Sequence, residues 1–178
     1  EKTKKFKPNL ICTPECSNII TNDINYLRKN TTFENDCPLI NMAKLYAKEN
    51  NVNINIGSLL LKIKNQKKLV NRSYFINTKG KIAKTYDKIH MFDVNINKKE
   101  THKESDTFKA GNKVVLLDLD GVKIGFTICY DLRFPNLFRN LAKRGAQIIL
   151  MPAAFTVPSG KAHWEVMLRS RAIENSLF

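Results

Sequence analysis

Three residues in this chain carry side chains suited to joint chemistry, and each closes an apolar or hairpin segment. Glu15 ends "LICTPE", Lys88 ends "KTYDK" and Cys129 ends "FTIC". A thiolate is a strong nucleophile, and a nearby ammonium favours it over the thiol. The same ammonium can hold the oxyanion of a tetrahedral intermediate. A carboxylate can take the thiol proton, deliver it to a departing amine and later activate water. If the three segments are neighbours in space, these groups suffice to cleave an amide through a thioester. Taken singly, each residue has a plainer reading: cysteine as a small core residue, lysine as surface charge, glutamate after proline as a helix-start residue. Spacing alone does not choose between the two.

The stretch "VKIGFTICYDLRFP" indicates how such a thiol would be held. Ile124, Phe126 and Ile128 alternate with Gly125 and Thr127, as in a largely buried strand, and Cys129 sits where that strand stops. Pro135 suits the first turn of a helix that "NLFRNLAKRG" carries to a glycine stop. Upstream, "KPNLICTPE" reads as a short strand. In "PLINMAKLYAKENN", Leu39, Met42, Ala43, Tyr46 and Ala47 recur at helical spacing. "VNINIGSLLLKI" reads as a strand, and "LVNRSYFINTKGKIAKTYDKIH" as a hairpin turning at Thr78, Lys79 and Gly80. A polar loop is expected from Asn95 to about Asn112, then a second hairpin turning at Asp120 and Gly121. "AQIILMPAAF" reads as a short buried strand. "HWEVMLRSRAIEN" closes as a helix with Trp164, Met167, Leu168 and Ala172 on one face. Helices that interleave with strands, some of them in hairpins, predict an α/β sandwich with a mixed sheet.

At 178 residues the chain can build one domain with a real core, and a hydrophobic fraction of 43% argues against disorder. The formal charge of +14 comes from 30 Lys and Arg against 16 Asp and Glu. Its lysines are scattered in short runs such as "EKTKKFK", "KIKNQKK" and "NKKE", which read as solvated loops. No aromatic-interleaved basic patch accompanies them, so nucleic acid is not expected as a partner. Cys12, Cys16, Cys37 and Cys129 do not form a disulfide framework, and Cys12 and Cys16 lack a second metal-ligand pair. No apolar run reaches the length needed to span a bilayer, and no signal peptide is visible. No membrane partner and a reduced, cytoplasmic setting are the expectation.

In chain order, "TPE", "YDKIHMFDV", "GFTICYDLRFP" and "AHWEVMLRSRAIEN" strongly resemble the nitrilase superfamily of carbon–nitrogen hydrolases, from Leu10 to Asn175. The resemblance implies a four-layer α-β-β-α sandwich, homodimers or larger homo-oligomers, and a catalytic Glu–Lys–Cys triad. By motif the triad falls on Glu15, Lys88 and Cys129. It implies a further glutamate, Glu104 in "HKESDTFKAG", that orients the lysine and holds substrate. It also implies that the backbone N–H of Tyr130 binds the oxyanion. Asp131 and Arg133 are expected to brace the turn, and His90 to be structural. The loop "PAAFTVPSGKAHW" is expected to form a pocket wall, with Phe155 and Thr156 facing the ligand. Within the superfamily the motifs look most like the branch of deaminated glutathione amidase and ω-amidase. The implied substrate is a small anionic amide, met by Arg133 or Lys161 and hydrolysed through a thioester with release of ammonia. The resemblance implies no cofactor or metal. An ω-amidase acting on α-ketoglutaramate, and a non-catalytic binding protein with the same fold, remain the alternatives. Against a whole superfamily member, the first strand, much of the first helix, and the later strands and C-terminal segment are missing. The expectation is thus one hydrolase domain over residues 1–178, incomplete at both ends.

Overall fold

The computed structural model describes residues 6–97 and 100–178. The chain runs through β1 (Leu10–Cys12), α1 (Ile24–Asn30), α2 (Pro38–Asn50), β2 (Asn53–Lys62), β3 (Leu69–Ile76) and β4 (Ile82–Asp87). A short hairpin follows, β5 (Asp93–Asn97) and β6 (Glu100–Lys103), then one turn of helix, α3 (Glu104–Thr107). The rest comprises β7 (Leu116–Leu119), β8 (Val122–Phe126), α4 (Pro135–Lys143), β9 (Ile148–Leu150), α5 (Val157–Ser159) and α6 (Glu165–Asn175).

The first sheet has the order β1-β2-β3-β4, with β1 parallel to β2 and the other neighbours antiparallel. β2 is buried on both faces along nearly its whole length, which explains its dense apolar run. Ile54, Ile56, Leu59 and Leu61 face α2 together with Val70, Tyr74 and Ile76. A bulge between Ile56 and Leu59 shifts the register, so the apolar side chains keep one face despite their irregular spacing. α2 starts with Pro38 at its first turn and ends at Asn51 in the left-handed region. It buries Ile40, Ala43 and Ala47, whereas Met42 is exposed. The packing face is therefore rotated from the one the sequence suggests: small alanines let the helix lie close on the sheet.

The second sheet has the order β7-β8-β9, β7 antiparallel and β9 parallel to β8. Between the sheets, Phe75 and Tyr86 pack on Ile124, Phe126 and Ile128, with the Phe75 and Phe126 rings edge to face. On the outer face of the second sheet, α4 contributes Leu137, Phe138 and Leu141, joined by Trp164, Met167 and Leu168 from the last helical segment. Each fully buried side chain of this kind stabilises by about 1.5–3 kcal/mol. The layers are α2, first sheet, second sheet, then α4 with α6: the four-layer α-β-β-α sandwich expected.

The turn at Asp120 and Gly121 has positive φ at both residues, as a two-residue hairpin loop requires. α4 ends in a Schellman turn, with Ala146 N–H to Leu141 C=O and Gly145 N–H to Ala142 C=O. Two segments differ from the sequence expectation. The loop expected at 95–112 contains most of the β5–β6 hairpin and α3. α1 lies where no element was expected, capped by Asp23, whose side chain accepts from Asn25 and Tyr26 N–H. The lysine runs at residues 1–5 and 98–99 lie outside the described residues. Among the described residues no helix is long and apolar enough to cross a membrane.

Candidate active site

Glu15 is positioned by how its loop lies on β2. Thr13 N–H donates to Asn55 C=O, Ser58 N–H to Pro14 C=O, and Ser17 N–H to Ser58 C=O. The approach is possible only over a glycine. A Cβ on Gly57 would lie 2.1 Å from the Thr13 oxygen, 2.5 Å from the Pro14 oxygen and 2.6 Å from Pro152 Cβ. The bulge of β2 thus serves as the seat on which the Glu15 loop and the segment after β9 meet.

Lys88 lies just past β4, its N–H bonded to Asn71 C=O. Its ammonium is almost fully buried and lies 3.1 Å from Glu15 Oε1 and 3.0 and 2.9 Å from the two oxygens of Glu104. Glu104 is itself fixed, since Phe92 N–H donates to its Oε2 at 2.6 Å. Glu15 Oε1 also accepts from Asn71 Nδ2 at 3.0 Å, and Oε2 from Ala154 N–H at 2.9 Å.

Cys129 stands three residues beyond β8, at the first position of a 3-10 turn, Cys129–Arg133. The strand therefore ends earlier than the sequence suggests, and the thiol sits on the turn itself. Cys129 has φ +46°, a conformation that non-glycine residues rarely hold without support. Its N–H is bonded to Pro152 C=O, and Asp131 caps the turn through Ile128 N–H. The Glu15 carboxylate and the Ala154 N–H both act electrostatically on the Cys129 thiol.

Electrostatically, the site is one ammonium between two carboxylates. Burial would lower the Lys88 pKa, but the charges of Glu15 and Glu104 outweigh it and hold the ammonium protonated well above the ordinary lysine range. Burial, then the Glu15 charge, pushes the Cys129 thiol up, against the pull of Lys88. Lys88 pulls the thiol toward the thiolate, as the sequence suggests, but burial and the Glu15 charge outweigh that pull.

These groups open on a cavity of about 800 Å³, well within the size range of small-molecule sites. Arg133, Phe155 and Thr156 line it as expected, and so does Tyr130. Lys161 does not: it lies on the exposed π-helical turn, Gly160–Trp164, outside the cavity wall. The basic groups present beside Arg133 are instead His102 and Lys103 at the end of the β5–β6 hairpin. Arg133 lies 5.8 Å from the centre of the Tyr130 ring and bonds His163 Nδ1 at 3.2 Å. His90 is structural: it bonds Asp131 through both its N–H and Nδ1 and stacks on Phe134 at 3.6 Å.

Sequence reasoning missed Asn71 and Ala154 at the Glu15 carboxylate. It also missed the apolar end of the cavity, where Ile19, Leu27, Leu60 and Phe108 meet beside Cys16. Asp23, a good helix cap ahead of Ile24 and Leu27 at helical spacing, is the signal that reveals α1.

The family described as carbon–nitrogen hydrolase matches residues 1–178. The chain is 41% identical over 170 residues to a deaminated glutathione amidase of Yersinia enterocolitica, covering 93% of this chain and 58% of that protein. The crystal structure of the Caenorhabditis elegans NitFhit protein superposes with a TM-score of 0.87 at 32% identity, over 99% of this chain and 43% of that one. Saccharomyces cerevisiae Nit3, of branch 10 of the nitrilase superfamily, superposes with a TM-score of 0.83 at 28% identity, over 99% of this chain and 63% of that one. The chain thus spans less than two thirds of each of these relatives. With that overlap in sequence and fold, the chain belongs to the carbon–nitrogen hydrolase family.

Proposed function

We propose that the protein is an amidase in which Cys129 is the nucleophile, Glu15 the general base and acid, and Lys88 the oxyanion partner, with Glu104 and Tyr130 in support. The observation that carries this reading is the convergence of Cys129, on its strained turn, with the Glu15–Lys88–Glu104 row at one cavity. The substrate carbonyl carbon is attacked by Cys129 Sγ while Glu15 takes the thiol proton. The oxyanion meets the Lys88 ammonium and the Tyr130 N–H, which sits in the first turn of a 3-10 helix and so has no acceptor within that helix. Glu15 then hands its proton to the amide nitrogen, the C–N bond breaks and the amine leaves. Water, deprotonated by Glu15, attacks the thioester, and the carboxylic acid departs as Cys129 regains its proton.

The substrate we propose is a small anionic amide of the deaminated glutathione type. The name of the Yersinia relative and the Arg133, His102 and Lys103 groups at the cavity support it. A charge-assisted bond to a substrate carboxylate contributes about 1.5–3 kcal/mol, roughly tenfold or more in selectivity per good pair. We further propose a reducing, cytoplasmic setting, which keeps the Cys129 thiol available, and homo-oligomers formed through the outer helices. The exposed Val166 and Ile173 of α6 support the oligomers.

The test is kcat/KM on the full-length protein for deaminated glutathione, α-ketoglutaramate and a neutral aliphatic amide. The leaving group separates the first two, since an N-substituted amide releases an amine and a primary amide releases ammonia. Deaminated glutathione is expected to be cleaved best. A preference for the neutral amide overturns the anionic substrate class, and no thiol-dependent cleavage of any amide overturns the amidase.

A further inference from the structure

Asn71, in the middle of β3, is 1% exposed and lines the cavity. Its Nδ2 donates to Glu15 Oε1, while its own Oδ1 is buried with no hydrogen-bond partner among the described residues. A buried acceptor left without a donor is unfavourable and rare in folded proteins. Turning the amide over would set Oδ1 against the Glu15 carboxylate, so the orientation is imposed by Glu15.

The consequence is seen at the carboxylate. Oε1 accepts two bonds, from Asn71 Nδ2 and Lys88 Nζ, which occupy both its lone-pair positions. Oε2 accepts one, from the N–H of Ala154, two residues past Pro152, whose C=O accepts the Cys129 N–H. The open lone pair of Glu15 is therefore on Oε2, the oxygen held by the segment that also holds the Cys129 backbone. We propose that Asn71 is a positioning residue that, with Lys88, saturates Oε1 and assigns the proton-accepting role to Oε2. This rests on Glu15 being the general base.

Two effects follow. A donor to a carboxylate favours its ionised, proton-accepting form, and Asn71 is such a donor. It also fixes the syn or anti geometry at which the thiol proton is received. The charged and titratable groups around Glu15 are Lys88, Glu104 beyond it, Cys129 and the neighbouring Cys16, so a pH profile must be read against variants of more than one of them.

The experiment is the rate of iodoacetamide alkylation at Cys129, followed by mass spectrometry from pH 5 to 10 on the full-length protein. It needs no knowledge of the substrate. The proteins compared are the wild type, Asn71→Leu, Asn71→Ser and Glu15→Gln. Leucine is close in size to asparagine and removes the orphaned acceptor together with the donor. Asn71→Leu is expected to stay folded with a thermal midpoint near that of the wild type, while alkylation of Cys129 near neutral pH slows roughly tenfold. Asn71→Ser, which keeps a shorter donor, should fall between it and the wild type, and serves as the test if the leucine variant does not fold. If Glu15→Gln abolishes the acid limb but the Asn71 variants leave its midpoint and rate unchanged, Asn71 has no positioning role. If Glu15→Gln itself changes nothing, the base assignment fails and the proposal with it.

Discussion

Two carboxylates lie almost within the same few residues of space, and both are buried, Asp131 fully and Glu15 to 4% exposure. Asp131 accepts four hydrogen bonds. Tyr86 OH and Ile128 N–H meet Oδ2 at 2.7 and 2.8 Å, and His90 N–H and Nδ1 meet Oδ1 at 3.0 and 2.7 Å. Every lone pair has a protein partner, so the group has nothing left with which to bind a ligand. Glu15 accepts three protein bonds and keeps one position open at the cavity that Cys129 also lines. Burial alone does not separate the two carboxylates. The open lone pair does, and so does the company of a buried ammonium that has its own second counter-ion. The saturated carboxylate holds the turn that carries Cys129; the unsaturated one is the base in the function we propose.

The sharpest break between the two clusters is expected in turnover. Cys129→Ala should reduce amide hydrolysis to the uncatalysed background in a full-length protein whose melting curve stays cooperative. A trapped thioester found on Cys12, Cys16 or Cys37 instead would place the chemistry elsewhere. Next in size, Glu15→Gln keeps the shape but removes the base, and general acid–base catalysis typically contributes about 10²- to 10⁴-fold. Pre-steady-state measurement of acylation and deacylation should show both half-reactions slowed. A variant slowed in neither would mean that Glu15, like Asp131, is only a brace.

The members of the reacting cluster that were legible in the sequence share one property: Glu15, Lys88 and Cys129 are polar residues that stop apolar segments. The sheet then carries such ends to one side. The Asp120–Gly121 turn and the Pro135 helix start were legible for the same local reason, because they are decided by backbone preferences of one or two residues. Asn71 was not. It lies inside a strand, where alternation assigns a polar residue to the solvent face. Only the stacking of a second sheet turns that face inward, a non-local fact. The β5–β6 hairpin escaped because backbone pairing holds it, without an apolar alternation, and α1 because a seven-residue helix that buries only Leu27 offers little beyond its Asp23 cap and one spaced apolar pair. Lys161 was misplaced because its position depends on a π-helical turn, whose geometry no spacing rule anticipates.

Asp131→Asn sharpens the comparison from the structural side. An asparagine offers one acceptor oxygen and one donor nitrogen, so its nitrogen must face either the His90 or the Ile128 donors. One buried backbone N–H then lacks an acceptor, at about 1–3 kcal/mol, and its side-chain neighbour, Tyr86 OH or His90 Nδ1, must reverse its role to accept from the new NH2. For a domain of this size that corresponds to a fall of roughly 2–12 °C in the thermal midpoint. Glu15→Gln should fall less, because its oxygen can still serve Asn71 and Lys88 and only the Ala154 side is disturbed. Equal losses in the two variants would erase the distinction between a bracing and a reacting carboxylate.

The smallest effect expected is confined to alkaline pH, and it involves both clusters. Burial, then the Glu15 charge, raises the Cys129 thiol above its ordinary 9.0. Burial, then Asp131, raises the Tyr86 phenol above its ordinary 10.0. A group whose folded pKa lies above its unfolded value leaves stability untouched while both states are protonated. As pH rises past the unfolded value, the unfolded chain loses a proton that the folded chain retains. The unfolded state is thereby favoured, until the folded pKa is also passed. Stability should therefore be level up to about pH 9 and then decline, with each such group adding a slope of at most about 1.4 kcal/mol per pH unit. Cys129→Ala removes its share from pH 9 upward, and Tyr86→Phe removes its share only from pH 10. Urea unfolding of the full-length protein at pH 7, 9 and 10.5 resolves the two. Curves for Cys129→Ala that run parallel to the wild type across this range would show that the thiol ionises as easily in the folded site as in the open chain. In that case the Lys88 ammonium, and not Glu15, would dominate the field at the nucleophile.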